Sequence, residues 1–250
     1  MRCVVIDVGN TSTSVALYAE GRVSRVTPLS GGIRKNPQAC AEAVRLAARG
    51  GVCGVVLGSV VPQTNSLWDR LVRDALGCKP LVVRAGIPMD VAVDYPKPKT
   101  IGADRLANAA GGVVKYGAPL IVADFGTALT FDIVTRDRCY IGGVIAPGLP
   151  LMTDYLHERT ALLPHVAPGG VCPKIGRSTR GAIQIGAQIG YRGMVREIVG
   201  YLSQTLGDGV TLIGTGGFAR WVLGGINMPF VIDPNLTLFG FGTIFERNVR

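Results

Sequence analysis

The sequence predicts an α/β fold built twice within one chain. Two observations carry this expectation. Apolar strands end in an Asp-x-Gly-x-Thr turn, or a close variant of it, at two places about half a chain apart: Asp7-Val8-Gly9-Asn10-Thr11 and Asp124-Phe125-Gly126-Thr127. Each turn opens a run of three strand signals that passes into alternating helix and strand signals. A strand ending in a carboxylate can hold a hydrated metal ion, and a Gly-Thr turn offers backbone N–H and hydroxyl donors to phosphate. No GxxxxGK[ST] occurs anywhere, so neither turn is a strand-to-helix phosphate loop of that kind.

In chain order, residues 2–8 read as a buried strand, 13–19 as a second, and Glu20-Gly21 as a hairpin turn into a third at 22–27. Asn36-Pro37 starts a helix that Gly50-Gly51 stops. A strand (53–58), a helix (63–76, closed by Gly77) and a strand (80–84) follow, and residues 86–100, with three prolines, read as an irregular connection. A helix spans Gly102 to Lys115. Its Gly111-Gly112 pair costs about 1 kcal/mol per glycine relative to alanine, which points to close packing at that spot. Gly117 and Pro119 mark a domain junction, giving lobes of 1–116 and 117–250.

The second half repeats the order with strands 119–124, 128–134 and 138–145 and a helix from Pro147-Gly148 to Glu158. Residues 159–177 read as loop. A long helix starts near Ser178-Thr179 and ends near Gly207, and its glycines 181, 186, 190, 193 and 200 predict backbone-close packing against another element. A strand (210–214), a helix (217–224), a strand (229–232) and a helix (236–247) complete the half. Two such lobes would face each other across a cleft and close as a hinge.

Composition narrows the function classes. The 250 residues are 48% hydrophobic, as expected of a well-cored globular chain, and no apolar run approaches a membrane span. The chain enters a strand within three residues, so no signal peptide is expected. Cys3, Cys40, Cys53, Cys78, Cys139 and Cys172 are too widely spaced for CxxC chemistry and read as reduced cytoplasmic thiols, mostly core filler. The formal net charge is +9, but the basic residues are scattered, Arg34-Lys35 is the one adjacent pair, and no aromatics interleave. That argues against nucleic acid and for an anionic substrate or simply an arginine-rich composition. His157 and His165 lack convincing zinc-ligand company and read as surface residues.

The residues then identify a resemblance. The two Asp-Gly-Thr turns resemble the phosphate loops of the actin-like sugar kinase and Hsp70 superfamily. Gly214-Thr215-Gly216-Gly217-Phe218-Ala219 resembles its adenosine-binding turn. Tyr95-Pro96, Gly102-Ala103-Asp104-Arg105-Leu106-Ala107-Asn108-Ala109, Arg159-Thr160-Ala161-Leu162-Leu163-Pro164 and Gly176-Arg177-Ser178-Thr179 are similar to stretches of type III pantothenate kinases. The resemblance covers essentially the whole chain. It implies a duplicated actin-like, ribonuclease H-like fold with two lobes around an ATP cleft, and phosphorylation of pantothenate by ATP. It further implies that Asp7, Val8, Gly9, Asn10, Thr11, Ser12, Thr13 and Ser14 contact ATP phosphates and Mg²⁺, with Asp7 on the metal directly or through water, and that Thr127 touches ATP. Tyr95, Gly102, Ala103, Asp104, Arg105 and Thr179 would serve pantothenate, with Asp104 as the base. Asp124 would hold a monovalent cation, K⁺ or NH₄⁺, in a cytoplasmic homodimer. Two departures fall near the acceptor pocket: Lys97-Pro98 where the family has Asn-Pro, and Leu162 where it has lysine.

Each residue also has a plainer reading. Asp7 could cap a turn, Asp104 could be a carboxylate favoured by a helix N-terminus, Arg105 could form a surface ion pair, and Thr179 could be a helix N-cap. Asp132 reads as structural or as a support to the site. Two rival functions share the fold: a kinase for another small hydroxyl acceptor, and a nucleotide-responsive regulatory protein. Asp104 and Arg105 separate the last from an enzyme, because a pure switch has no need of a base.

Overall fold

Residues 1–169 and 173–249 are described by the structure, a computed structural model. Contacts divide the chain into two units: residues 1–117, 138–141 and 235–250, and residues 118–137 and 142–234.

The first unit is organised on a five-stranded sheet. Strands β1 (Arg2–Val8), β2 (Ser12–Ala19) and β3 (Arg22–Ser30) form two successive antiparallel hairpins, and β4 (Val55–Ser59) and β5 (Leu81–Val82) add in parallel, in the order β3-β2-β1-β4-β5. Successive residues of a strand point to opposite faces. Val4, Ile6 and Val8 accordingly join a core with Val44 of α2 (Pro37–Ala48) and Trp68 and Val72 of α3 (Asn65–Leu76). A short helix, α1 (Gly32–Lys35), precedes α2, and a 3-10 turn, Pro62–Thr64, leads into α3.

The opposite face of this sheet is covered by α8 (Leu236–Asn248), which packs on α4 (Ala103–Tyr116). Glycines make the fit. A Cβ at Gly58 would collide with the Phe241 ring, one at Gly242 with the Tyr18 ring, and one at Gly54 would lie 2.6 Å from Phe245 Cζ. Between the helices a Cβ at Gly111 would lie 2.9 Å from Gly240 Cα, and one at Gly240 would strike the Ala107 carbonyl. The close packing expected at Gly111-Gly112 is thus present, with Gly240 as its partner. Thr237 donates from Oγ1 to Oδ1 of buried Asn108 at 2.8 Å, so the same contact carries a satisfied polar group.

This contact also redraws the lobe boundary expected at 116/117. Residues 235–250 pack with the first unit, because α8 is apolar on most of its surface and finds its cover on β1, β4 and α4. A second difference lies in the stretch read as an irregular connection. Ala92 and Val93 form β6, which pairs in parallel with Cys139 and Tyr140, residues that also belong to the first unit. Pro98–Thr100 is a 3-10 turn.

The second unit repeats the topology. Strands β7 (Leu120–Phe125) and β8 (Ala128–Val134) form an antiparallel hairpin. β9 (Cys139–Pro147) follows β8, with residues 142–147 in this unit, and β10 (Thr211–Thr215) and β11 (Phe230–Ile232) run parallel to β7. The order β9-β8-β7-β10-β11 matches that of the first unit strand for strand, which is the duplication the sequence predicts. Helices α5 (Leu149–Glu158), α6 (Thr179–Leu206) and α7 (Ala219–Leu223) complete it, with Tyr191, Val195 and Val199 of α6 packed against Phe125, Phe131 and Val222.

The glycines of α6 behave otherwise than expected. A Cβ at Gly186, Gly190 or Gly200 would meet nothing within 4 Å among the described residues, whereas one at Gly181 would lie 3.3 Å from Ser178 Oγ. Among the described residues, Cys3 and Cys40 are buried, Cys53 is exposed, Cys78 and Cys139 are half-buried, and all five are free thiols. Cys172 lies outside the described residues. No helix of the described residues is long and apolar enough to cross a membrane.

Gly240→Ala is expected to destabilise the protein by about 1–3 kcal/mol through overpacking, lowering the thermal midpoint by about 2–4 °C per kcal/mol. An unchanged melting curve by circular dichroism would show that α4 and α8 do not need this approach.

Candidate functional site

In the first unit the turn between β1 and β2 is tight. Gly9 N–H donates to the Ser12 carbonyl at 3.0 Å, and a Cβ on Gly9 would itself lie 3.0 Å from that oxygen. Asp7 stands on the central strand, opposite Ser14 of β2 and Gly58 of β4. Asn10, Thr11 and Ser12 are exposed at the turn. Thr13 is buried, and its Oγ1 has no hydrogen-bond partner among the described residues. A buried, unanswered hydroxyl at the mouth of such a turn is costly in the absence of a ligand.

The start of α4 lies next to this turn. Val60 N–H donates to the Val8 carbonyl at 3.0 Å, and a Cβ on Gly102 would stand 3.3 Å from Val60 Cγ1. That Cβ would also collide with Asp104 Oδ1, so glycine at 102 is what lets the carboxylate fold back over the helix start. Asp104 Oδ1 accepts from the Arg105 backbone N–H at 2.8 Å. Burial pushes the Asp104 carboxyl above its ordinary value, against the opposing pull of the Arg105 N–H and guanidinium. A plain helix-terminal carboxylate would be shifted the other way by the helix dipole. A raised carboxyl is a stronger base once ionised, which suits proton abstraction.

The same unit brings Tyr95 and Arg105 together. The Asp94 N–H donates to the Tyr140 carbonyl at 3.0 Å, which sets Tyr95 against Tyr140, ring centroids 6.3 Å apart. The Arg105 guanidinium lies 5.9 Å from the centre of the Tyr140 ring. Tyr95, Tyr140 and Arg105 therefore form one cluster beside Asp104. Tyr140 was not foreseen from sequence. It read there as one more residue of a strand, and only the two-residue pairing of β6 reveals its place.

The second unit has its own cluster. Asp124 ends β7 opposite Thr130 of β8 and Thr215 of β10. Gly216 has φ 90°, and a Cβ there would lie 2.5 Å from Asp124 Oδ1 and 2.7 Å from the Phe125 backbone. Phe218 N–H donates to the Phe125 carbonyl at 3.2 Å. The 214–219 turn is thus pressed directly onto the Asp124 turn. From the other side a Cβ at Gly148 would collide with the Thr127 carbonyl. Asp132 is fully buried in β8 opposite Val122. Burial raises the Tyr191 phenol, and the Asp124 charge adds to that effect against the opposing pull of the Leu149 backbone; the Tyr191 ring itself packs beside Phe125, centroids 6.5 Å apart. Nothing in the sequence marks Tyr191 for this position.

Thr179 is exposed in the first turn of α6. The helix is capped by Ser178, whose side chain accepts from the Gly181 N–H at 3.1 Å, so capping does not occupy Thr179. Leu162 is 90% exposed. His157 Nδ1 is 2.9 Å from the Leu163 carbonyl and His165 Nε2 is 3.1 Å from Asp154 Oδ1, both on the surface. No three His, Cys, Asp or Glu side chains converge on a metal site among the described residues. A magnesium ion arriving with ATP takes its ligands from phosphate, water and one or two carboxylates. Asp7 beside the phosphate turn fits that demand, and Asp124 likewise offers a single carboxylate.

A family model described as type III pantothenate kinase matches residues 3–200. A type III pantothenate kinase from Bacillus cytotoxicus is 33% identical over 250 residues, covering 98% of this chain and 95% of its own. One from Methylacidiphilum infernorum is 37% identical over 248 residues, covering 97% and 88%. Among solved structures, an archaeal actin homologue is 13% identical and covers 99% of this chain and all of its own at TM-score 0.51, a likeness of fold. The duplicated fold is the actin-like one.

Asp104→Asn is expected to leave the protein at least as stable as the parent at neutral pH, and the difference should grow from acid to neutral pH. The folded-state pKa lies above the unfolded one, so this group's favourable contribution is complete below the ordinary carboxylate range and is lost as pH rises through the folded value. Urea denaturation across that range reads the difference, and a variant that is less stable at neutral than at acid pH, relative to the parent, contradicts the assignment.

Proposed function

The chain belongs to the type III pantothenate kinase family, and we propose that it transfers the γ-phosphoryl group of ATP to the primary hydroxyl of pantothenate. The product, 4′-phosphopantothenate, enters coenzyme A synthesis. The observation that carries the mechanism is Asp104: a half-buried carboxyl with a raised pKa, set beside the first phosphate turn through Val60 and Gly102.

Phosphoryl transfer asks for positioning and charge neutralisation more than for covalent chemistry. In this reading the donors of the Asp7–Ser14 turn, with the Thr13 hydroxyl, hold the phosphates. Asp7 would hold the Mg²⁺ that ATP carries, directly or through water, and that ion would neutralise charge on the phosphates. Asp104 accepts the proton of the attacking hydroxyl as the oxygen bonds to phosphorus. Arg105 pairs with the pantothenate carboxylate, Tyr95 and Ala103 line the acceptor, and Thr179 also serves it. Thr127 and the 214–219 turn serve the nucleotide. Asp124 beside phosphates would meet like-charge repulsion, and a monovalent cation, K⁺ or NH₄⁺, relieves it. The reaction belongs in the cytoplasm, where free thiols stay reduced.

We further propose a homodimer built on α6. Its glycine stripe at 186, 190 and 200 is open, and Ile189 and Tyr201 beside it are 62% and 68% exposed. Small residues with neighbouring apolar side chains allow a second helix to approach closely, and its cover would remove apolar surface from water.

In an ADP-release assay across hydroxyl acceptors, pantothenate should be turned over in K⁺ or NH₄⁺ and poorly in Na⁺ or Tris alone, and Asp104→Asn should lower kcat by about 10²–10⁴-fold with ATP affinity nearly unchanged. Equal turnover in all salts would remove the cation from the reading, and wild-type single-turnover rates in the variant would remove Asp104. Sedimentation should give twice the 26.3 kDa chain mass, and a single-chain mass at micromolar concentration would refute the dimer.

A further inference from the structure

We propose that Arg34 and Lys35 are nucleotide-binding residues that hold the polyphosphate from the segment between β3 and α2. The inference deepens the kinase reading and rests on it for the identity of the ligand.

The register of the sheet brings this segment to the site. Ser12 pairs with Ser30 and Thr13 with Leu29, so β3 ends directly beside the phosphate turn. Gly31 and Gly32 then take φ of 78° and 64°, a left-handed reversal that favours glycine. Ile33 is buried with Val8, Val15 and Leu29, which pins the reversal to the core. Asn36 closes it, its Nδ2 donating to the Ser30 carbonyl at 3.2 Å and its backbone N–H to the Gly32 carbonyl at 3.1 Å.

A cavity of about 280 Å³ results, lined by residues 8–13 of the turn, residues 31–35, and Val61, Gln63 and Thr64. The charged side chains lining it are Arg34 and Lys35, and both are cations. Thr13 lines the same cavity, and its buried Oγ1 has no hydrogen-bond partner among the described residues. Arg34 Nη2 donates to the Gln63 carbonyl at 3.2 Å, which orients a guanidinium whose remaining donors suit a phosphate oxygen pair. The Lys35 stem lies over Gly31, where a Cβ would stand 3.0 Å from Lys35 Cδ.

Fixed positive charge on the protein would add to what Mg²⁺ brings with the nucleotide. From Asp7 to Ser14 the turn carries one carboxylate and no cation. Backbone N–H and hydroxyl donors orient phosphates but carry no full charge to balance a polyphosphate. Arg34 and Lys35 supply it on an element that the sheet, and not the turn itself, places there.

The test is calorimetric titration of the full chain with ATP, inorganic triphosphate and adenosine, for the parent, Arg34→Ala, Lys35→Ala and the double variant. The expected result is a loss of ATP and triphosphate affinity of about tenfold or more per cation removed, a weaker dependence of the residual binding on salt, and adenosine affinity within about twofold of the parent. Arg34→Lys should recover part of the loss, because it keeps the charge and forfeits the fork. ATP affinity within twofold of the parent in the double variant overturns the proposal. So does a parallel loss of adenosine binding, which would mean that the segment only props the fold. A parent that binds ATP yet transfers nothing to pantothenate defeats the kinase reading and leaves this result standing by itself.

Discussion

The backbone-to-backbone contact of α4 with α8 is the constraint on which the first unit depends. Gly111 and Gly240 remove the side chains that would hold the two helices apart. Phe241, Phe245 and Tyr18 then fill the space that Gly58, Gly54 and Gly242 leave, so α8 is wedged between the sheet and α4. Interiors packed at crystal density transmit such a fit over several residues. One consequence reaches the chemistry. With its middle clamped at Ala107 and Gly111, α4 has little freedom to slide, and its first turn stays where Gly102 meets Val60 at the ends of β1 and β4. The Asp104 carboxylate is positioned by a helix whose own position is fixed on the far face of the sheet.

The second unit fixes its turn by other means. There the turn after Asp124 is gripped between two glycines, Gly216 over Asp124 and Phe125, and Gly148 against Thr127. The strand order is the same in both units, but the surroundings of the two aspartates differ. The first turn faces a cavity lined by Arg34 and Lys35. The second sits under a glycine turn and beside the buried Tyr191 phenol. A shared topology thus carries one turn bordered by two cations of a neighbouring segment and one pressed against a second backbone turn.

Much of this was legible in the chain. Strand, tight turn and strand were readable at both aspartates because runs such as Val4-Val5-Ile6 and Leu120-Ile121-Val122 end in residues that suit turns. Asp104, Arg105 and Tyr95 were readable as a group only through their resemblance to a family. The allegiance of α8 was not readable. Its segment Leu236–Phe245 is apolar nearly all round, so periodicity names no face, and a glycine announces close packing without naming its partner. The glycines of α6 show the other half of that ambiguity: the same signal belongs to a face left open within the chain. Arg34-Lys35 was visible as a basic pair, but its meaning depends on the pairing of Ser12 with Ser30, which no local pattern encodes. Tyr140 is hidden for the same reason, since the strand that brings Tyr95 to it is two residues long.

The distribution of charge follows from what each step of a phosphoryl transfer needs. A cation close to the base would favour its ionised form and weaken it, while phosphates need cations at hand. At Asp104 the largest influence is burial, which raises the carboxyl, and the Arg105 N–H and charge only oppose it in part. The Arg105 guanidinium is turned over the Tyr140 ring, where the π face shares its charge and the acceptor cluster holds it. Arg34 and Lys35 are anchored instead by Gln63 and Gly31 on the α1 segment, alongside the phosphate turn. The first unit thus sets two cations beside the first turn while burial, and not a charge, dominates at Asp104. Exchanging the two placements, with a lysine at 105 free of the ring or a neutral segment at 34–35, would set those two demands against each other.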